Sequence, residues 1–290
     1  MLLLPTVMLA SRVLLDAHNC YPENARWADR IERALEQGLP IAIEQDLAWF
    51  EGKSVLTHEK KFTGAEPGMR EYFFERVRMI VERELRSGDR KRWPVIVLNL
   101  DFKSDEPEHH RAVWKLLGEY ESWLTTAKKN GRKPEKLDVK PILVLTGANN
   151  VQEETFHGAV PAGGLLRVFG AVEGGAVGAA RATNYRRWSN NAWSVVEEGG
   201  QIKAGEWTDA DQARLKRLVK EAHHRGLWIR FYTLDGHAPE TGLENGWSGG
   251  YNFGSLEAVR LRWRTAISAG VDFVATDQYE EFARELEAAK

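Results

Sequence analysis

The chain has 290 residues, and its 40 Lys and Arg against 42 Asp and Glu give a formal net charge of −2. That near-neutral balance offers no basic field for a nucleic acid, so no nucleic-acid partner is expected. With 43% hydrophobic and 28% charged residues the sequence reads as an ordinary globular chain; no apolar run approaches the roughly 20 residues of a spanning helix, and the single Cys20 excludes an internal disulfide or a cysteine-held zinc.

The first residues, MLLLPTVMLA, form a short apolar run broken by Pro5. They read either as a cap packed on the end of the fold or a disordered end, or as an export signal lacking the usual basic start. The second reading places the protein outside the cytoplasm. Residues 1–11 are therefore set apart, and 12–290 are expected to form one domain, because no Pro/Gly/Ser linker divides them.

Short β-branched apolar runs then alternate with amphipathic segments. Strands are predicted at Val13–Ala17, Ile41–Asp46, Pro94–Lys103, Lys140–Leu145, Gly164–Phe169, Ala192–Val196, Leu227–Leu234 and Val271–Ala275. Between the first two, Trp27, Ile31, Ala34 and Leu35 recur at helical spacing; after the third, Val113, Leu116, Leu117, Tyr120 and Leu124 do the same. Thr208 N-caps a helix carrying Leu215, Leu218, Val219 and Ala222, and Ser255 opens another that Gly270 ends. The Gly-rich stretch from Gly147 to Asn191 gives the weakest pattern. Eight strands alternating with helices predict an α/β fold, a (β/α)8 TIM-type barrel, rather than an open doubly wound sheet.

Ionisable residues collect at the C-terminal ends of the early strands, where a (β/α)8 barrel carries its chemistry. Asp16 and His18 lie two apart and share a face, as do Glu44 and Asp46, and Asn99, Asp101 and Lys103. His58 follows the second strand by a stretch long enough to return to the same mouth. Asn19, Glu44, Asp46 and Asp101 are hard oxygen donors suited to one divalent cation, Ca²⁺ or Mg²⁺. Such an ion polarises a phosphoryl oxygen, and two histidines beside it supply general acid and base, which implies phosphodiester cleavage. Lys103 and Arg230 are candidates for binding phosphate, Arg230 in a bidentate manner. Tyr232, two residues beyond Arg230, and Trp247, in the following loop with Asp235, are expected to shape the substrate pocket.

Other polar groups have blander readings. His109-His110 and His223-His224 are adjacent pairs on helical segments and read as surface residues. The basic run from Lys128 to Lys133 reads as a solvated turn rather than a lipid-binding patch. Trp27, Trp49, Trp114 and Trp123 read as packing residues.

These motifs resemble the phosphatidylinositol phospholipase C-like phosphodiesterases. His18-Asn19-Cys20-Tyr21 is similar to the His-Asn-x-Tyr start of the metal-dependent phospholipases, Glu44-Gln45-Asp46 to their Glu-x-Asp, and His58 to their second His. In Trp93-Pro-Val-Ile-Val-Leu-Asn-Leu-Asp101, Asp101 stands where the family has a metal-binding Glu. Pro22-Glu23-Asn24, Asp101-Phe102-Lys103 and the Ala269-Gly-Val-Asp-Phe-Val-Ala-Thr-Asp277 run look like the glycerophosphodiester phosphodiesterases, although Asn19 replaces their Arg. The resemblance covers residues 12–110 and 225–290. It implies a metal-dependent phosphoric diester hydrolase of lipid metabolism, acting on a phospholipid head group or a glycerophosphodiester. It also implies transient contact with a membrane surface if the substrate is a lipid.

Other readings fit less well. An inactive barrel binding a phosphorylated ligand or a sugar needs no pair of histidines. A glycoside hydrolase leaves His18, Asn19 and His58 without a role, and Glu44 and Asp46 on one strand stand too close for attack from opposite faces. An amidohydrolase wants a His-x-His on the first strand, which is absent.

Overall fold

The computed structural model describes residues 13–23, 26–58, 61–172, 180–197 and 205–290. The apolar segment 1–11, with its two readings, lies outside the described residues, as does Asn24 of the Pro-Glu-Asn motif.

In chain order the elements are β1 (Leu14–Ala17), α1 (Arg30–Glu36), β2 (Ile41–Phe50), β3 (Lys53–Leu56), α2 (Glu75–Ser87), β4 (Ile96–Phe102), α3 (Pro107–Glu119), β5 (Ala127–Lys128), β6 (Ile142–Thr146) and α4 (Asn150–Glu153). There follow β7 (Leu165–Leu166), β8 (Phe169–Val172), β9 (Arg186–Ala192), α5 (Asp209–His224), β10 (Trp228–Tyr232), α6 (Pro239–Asn245), α7 (Leu256–Ala269), β11 (Phe273–Thr276) and α8 (Tyr279–Ala288). Strands β1, β2, β4, β6, β8, β9, β10 and β11 pair in parallel, and β11 returns to β1, closing a (β/α)8 barrel. β3 folds back antiparallel on β2, and β5 and β7 form a separate antiparallel pair outside the barrel. No helix among the described residues is long and apolar enough to cross a membrane.

The period of two along each strand sorts side chains into two apolar layers. Leu15, Ala17, Ile41, Ile43, Ile96, Leu98, Ile142 and Val144 belong to the layer that includes apolar residues of the helices, such as Ile31, Val77, Val113, Leu215 and Phe282. The alternate residues Leu14, Ala42, Val97, Leu143, Phe169, Trp188, Trp228 and Phe273 pack together as a second cluster, the filler of the barrel interior. Two residues further along the strands the same face becomes polar, with Asp16, Glu44, Asn99, Asn190 and Arg230. Two more bring His18, Asp46, Asp101 and Tyr232. The site therefore sits on a packed apolar plug at the C-terminal end of the barrel.

Helix ends follow local chemistry. Thr208 and Asp211 form a capping box at the start of α5, the Ser255 side chain caps α7, and Gly270 closes α7 in the left-handed region at φ 76°.

Two strand predictions need correction. In the predicted Gly164–Phe169 only Leu165–Leu166 are extended together, and they form β7, which pairs with β5; the barrel strand β8 starts at Phe169. The predicted Ala192–Val196 strand contains a 3-10 turn over Trp193–Val195, and the barrel strand is β9, ending at Ala192. The β9 sequence RRWSNNA carries little apolar signal. Its buried Ser189 and Asn191 instead satisfy each other, with Asn191 Nδ2 donating to Ser189 Oγ at 3.0 Å. At the helices, Trp27 precedes α1 with a φ of 53°, and Leu124 lies beyond α3, bridged to Ile142.

The histidine pairs divide. His223 and His224 close α5 at the surface, with His223 Nε2 2.8 Å from Asp272 Oδ2. His109 and His110, expected at the surface, are fully buried under α3. Phe102 meets both rings edge-on, at 4.9 and 4.7 Å between centroids. The basic run is partly anchored, since Lys129 Nζ donates to the carbonyls of His157, Gly158 and Val160 at 2.7–3.0 Å.

Candidate active site at the barrel mouth

The chain leaves β1 through a tight turn. Asn19 takes φ 50°, a left-handed conformation that Asn tolerates better than most residues. This turn presents His18 to the mouth, and the Tyr279 hydroxyl of α8 donates to the His18 carbonyl at 2.6 Å. His18 Nδ1 lies 2.8 Å from Asp277 Oδ1, and Nε2 lies 3.5 Å from Glu44 Oε1. Burial opposes a charge on His18 most strongly, but Glu44 and Asp277 together outweigh it and raise the imidazole to about 10.

Asp277 was part of a matched motif but had no role in the sequence reading. Its Oδ1 also accepts from Asn19 Nδ2 at 2.9 Å, and its Oδ2 accepts the Ser248 backbone N–H at 2.7 Å. Asp235 in turn accepts from Thr276 Oγ1 at 2.6 Å and from the Asp277 backbone N–H at 2.8 Å. Asp235 is fully buried, and burial together with Asp277 pushes its carboxyl up to about 8. It supports the mouth from beneath and does not line it.

Asn19, expected as a metal ligand, has both ends of its amide engaged: Nδ2 on Asp277 and Oδ1 accepting the Tyr21 hydroxyl at 2.8 Å. Its carbonyl, with that of Tyr21, is held by Arg30 Nη1 at 2.9 and 2.8 Å, and Arg30 Nη2 reaches the Gly246 carbonyl at 2.7 Å. The structure thus ties Asn19 to the His18–Asp277 pair and to the loop after α6, while the three carboxylates expected as ligands form a cluster of their own.

Those three are Glu44, Asp46 and Asp101, each of which offers a carboxylate oxygen within 4.8 Å of the others. The parallel register of β2 and β4 explains this, because it places Glu44 beside Asn99 and Asp46 beside Asp101. Asn99 Nδ2 donates to Glu44 Oε2 at 3.1 Å. Asp46 is completely buried and neither oxygen has a hydrogen bond, although Lys103 Nζ stands 3.0 Å from Oδ2. Burial first, then Asp101 and Glu44, hold the Asp46 carboxyl well above the usual range. Lys103 Nζ also donates to Asp101 Oδ2 at 2.7 Å, and these carboxylates raise its ammonium against the cost of burial. A buried carboxylate with one oxygen left without a partner and two carboxylate neighbours is a donor set that fits a hard divalent cation.

Arg230 lies deeper. Its Nε donates to Asp16 and its Nη2 to Glu44, while Nη1 reaches Asn190 Oδ1 at 3.0 Å. Burial raises the Glu44 carboxyl most, but Arg230, His18 and Lys103 outweigh that effect and hold it below its ordinary value. Asp16 and Asn190 were not among the expected site residues. The signal for Asp16 was its two-residue spacing from His18; β9 gave none for Asn190.

His58 arrives on the β2–β3 hairpin. Glu51 and Gly52, at φ 46° and 77°, make the two-residue turn that suits twisted hairpin strands. β3 then runs back until the Thr57 backbone N–H donates to the Asp46 carbonyl at 3.1 Å. The exposed His58 side chain thereby reaches the mouth.

His18, Asn19, Glu44, His58, Asp101, Lys103, Arg230, Tyr232 and Trp247 all line one cavity of about 570 Å³. Asp46 lies behind this wall. Trp27, read as a packing residue, is also on the rim, beside the exposed Leu243. Trp247 is braced by the His237 ring at 5.3 Å, and a side chain at Gly242 would strike that ring.

No protein-family model matches the chain, and no curated protein matches it. Similar solved structures include a glycerophosphoryl diester phosphodiesterase from Parabacteroides distasonis, at 14% identity over 97% of this chain and 88% of that one, with a TM-score of 0.45. A dihydropteroate synthase from Thermus thermophilus is 12% identical over 96% and 93%, with a TM-score of 0.44. The HPPK-DHPS of Plasmodium falciparum is 9% identical over 97% of this chain and 48% of its own, with a TM-score of 0.49. Similarities this remote assign no function; the enzymes they name carry different chemistries.

Proposed function

We propose that the protein is a metal-dependent phosphoric diester hydrolase of the phospholipase C-like type, acting on a phospholipid head group or a glycerophosphodiester. The observation that carries this reading is the convergence of two histidines, His18 and His58, with the carboxylates Glu44 and Asp101 and the cations Lys103 and Arg230 around one mouth, and the buried carboxylate Asp46 behind its wall. A glycosidase has no use for the histidines, and a simple anion-binding pocket has no use for the buried carboxylates.

Glu44, Asp46 and Asp101 would hold one Ca²⁺ or Mg²⁺, which supplies charge stabilisation at a phosphoryl oxygen when bound. His18 and His58 act as the acid–base pair, one removing the proton of the attacking hydroxyl and the other protonating the leaving alkoxide. Asp277 fixes which His18 nitrogen faces the substrate. Lys103 and Arg230 place positive charge beside the phosphate, and Tyr232 and Trp247 bound the head group. The substrate is a small phosphodiester or the head group of a lipid, and in the second case the rim meets a membrane surface only transiently.

The test is hydrolysis of bis(p-nitrophenyl) phosphate, phosphatidylinositol and glycerophosphocholine, each with Ca²⁺, with Mg²⁺ and with EDTA, beside the double variant His18→Ala/His58→Ala. Metal-dependent turnover that the variant loses supports the reading, and the preferred substrate chooses the branch. Absence of turnover in a chain that binds the metal replaces it with a barrel that only binds a phosphorylated ligand or a sugar.

A further inference from the structure

His109 has no place in the chemistry above, yet it is one of the most constrained polar side chains in the molecule. It is fully buried at the start of α3, and each ring nitrogen meets a serine: Nε2 lies 2.8 Å from Ser54 Oγ and Nδ1 lies 3.1 Å from Ser104 Oγ. The ring also stacks on Trp49, with 5.4 Å between centroids. Ser54 and Trp49 are register partners across the β2–β3 hairpin, so one imidazole grips both strands at one rung.

The Trp49 N–H donates to Ser104 Oγ at 2.9 Å. Ser104 Oγ in turn meets His109 Nδ1, and His109 Nε2 meets Ser54 Oγ, the two serine hydroxyls donating or accepting as the ring requires. Trp49 N–H, Ser104, His109 and Ser54 thus form one connected chain. It joins the hairpin to the end of β4, where Ser104 follows Lys103, whose own N–H donates to the Leu47 carbonyl at 2.8 Å.

We infer that His109 is a positioning residue for the reaction, the clasp that sets the β2–β3 hairpin and so holds His58 at the mouth opposite the β4 groups Asp101 and Lys103. The hairpin projects past the barrel rim beyond Leu47, where parallel pairing no longer fixes it. The tether at Trp49 and Ser54 sets the base of this projecting hairpin, and the bonds of the Leu56 and Thr57 N–H groups to the Pro67 and Asp46 carbonyls, at 2.9 and 3.1 Å, carry that setting on to His58, four residues beyond Ser54. Misplacing an acid–base group by about 1 Å costs roughly 100-fold in rate.

This inference rests on the proposed role of His58, and the experiment separates the two. kcat and KM are measured for His109→Phe, His109→Gln, His58→Ala and the double variant His109→Phe/His58→Ala, with p-nitrophenyl and alkyl leaving groups. Phe keeps the stacking and loses both hydrogen bonds; Gln keeps one. The expected result is a fall in kcat of about 10- to 100-fold for His109→Phe with KM little changed. The dependence on leaving group should copy that of His58→Ala, activity should be partly restored in His109→Gln, and there should be no further loss in the double variant. Losses that multiply in the double variant, or that ignore the leaving group, make His109 merely structural and overturn the inference; so does an unchanged kcat. If His109→Phe does not fold, Ser54→Ala removes one anchor of the clasp and is read against the same outcomes. A wild-type chain without phosphodiester turnover overturns the acid–base reading of His58, and this inference falls with it.

Discussion

One oxygen of Asp277 lies 2.8 Å from His18 Nδ1, and the other accepts the backbone N–H of Ser248 at 2.7 Å. A single carboxylate therefore orients the histidine and anchors the loop beside Trp247 on the rim. Asp277→Asn keeps the shape but removes the charge and leaves an amide facing the ring. Its kcat should fall by roughly 10²–10⁴, the span of a lost acid–base contribution. The His18 imidazole, raised to about 10 with Asp277 among the causes, should titrate lower in the variant, toward its ordinary 6.5. Nitrogen-15 NMR of the metal-free protein reads this directly; an unchanged His18 titration would mean that Glu44 alone holds the charge.

Arg230 joins Asp16 and Glu44 beneath the mouth, with all three groups buried. Removing the cation strands two carboxylates above the apolar plug. Arg230→Ala should destabilise the fold by about 3–5 kcal/mol, the usual cost of breaking a buried pair from one side. Arg230→Lys should still lose a large part of this, because an ammonium cannot repeat the fork that spans two carboxylates. Urea denaturation at neutral pH measures both, and a change under about 1 kcal/mol for Arg230→Ala would show that water enters and solvates the pair.

How far these relationships can be read from the sequence depends on how local their causes are. Six of the eight barrel strands announce themselves through apolar runs, and the two-residue period places Glu44 with Asp46 and Asn99 with Asp101 on one face before any pairing is known. The relative register of β2 and β4, which brings those carboxylates together, is a long-range fact that no local pattern contains. β9 escapes the apolar pattern because, apart from Trp188, its buried positions are filled by Arg187, Ser189 and Asn191 rather than by apolar side chains. His109 and His110 were misread because adjacent helical residues are expected to diverge, whereas here Phe102 covers both and the hairpin closes over His109. Asn19 was legible as a special position, but its left-handed turn and its bond to Asp277 belong to the closure of β11 on β1.

The carboxylates Glu44, Asp46 and Asp101 define a prediction that needs no substrate. A ligand that binds only the folded chain stabilises it by RT ln(1 + [L]/Kd), about 2.7 kcal/mol at a hundred times Kd. Millimolar Ca²⁺ or Mg²⁺ should therefore raise the melting temperature by several degrees, and EDTA should reverse the rise. Asp46→Asn should abolish the response, since it removes the charge of the fully buried ligand. Asn19→Ala should leave most of it, since that amide is committed to Asp277 and Tyr21. A response that Asn19→Ala removes and Asp46→Asn keeps would relocate the cation.

The clasp histidine makes a separate prediction about stability in acid. Burial, then the neighbouring His110, lowers the His109 imidazole from 6.5 to about 4, against the smaller opposing effects of Ser104 and Glu106. The unfolded chain takes up this proton near pH 6.5 and the folded chain only near pH 4, so the unfolded state binds more protons between the two. The stabilisation is complete above pH 6.5 and is lost as the pH falls toward 4, by at most about 3 kcal/mol. His110 is lowered by burial too and adds in the same direction. His109→Phe removes one titrating group and no carboxylate. Its unfolding free energy should therefore decline less than that of the wild type between about pH 7 and pH 5. Parallel curves for the two proteins would show that the clasp accepts a proton without opening, the Ser104 hydroxyl rotating to receive a hydrogen bond from a charged ring.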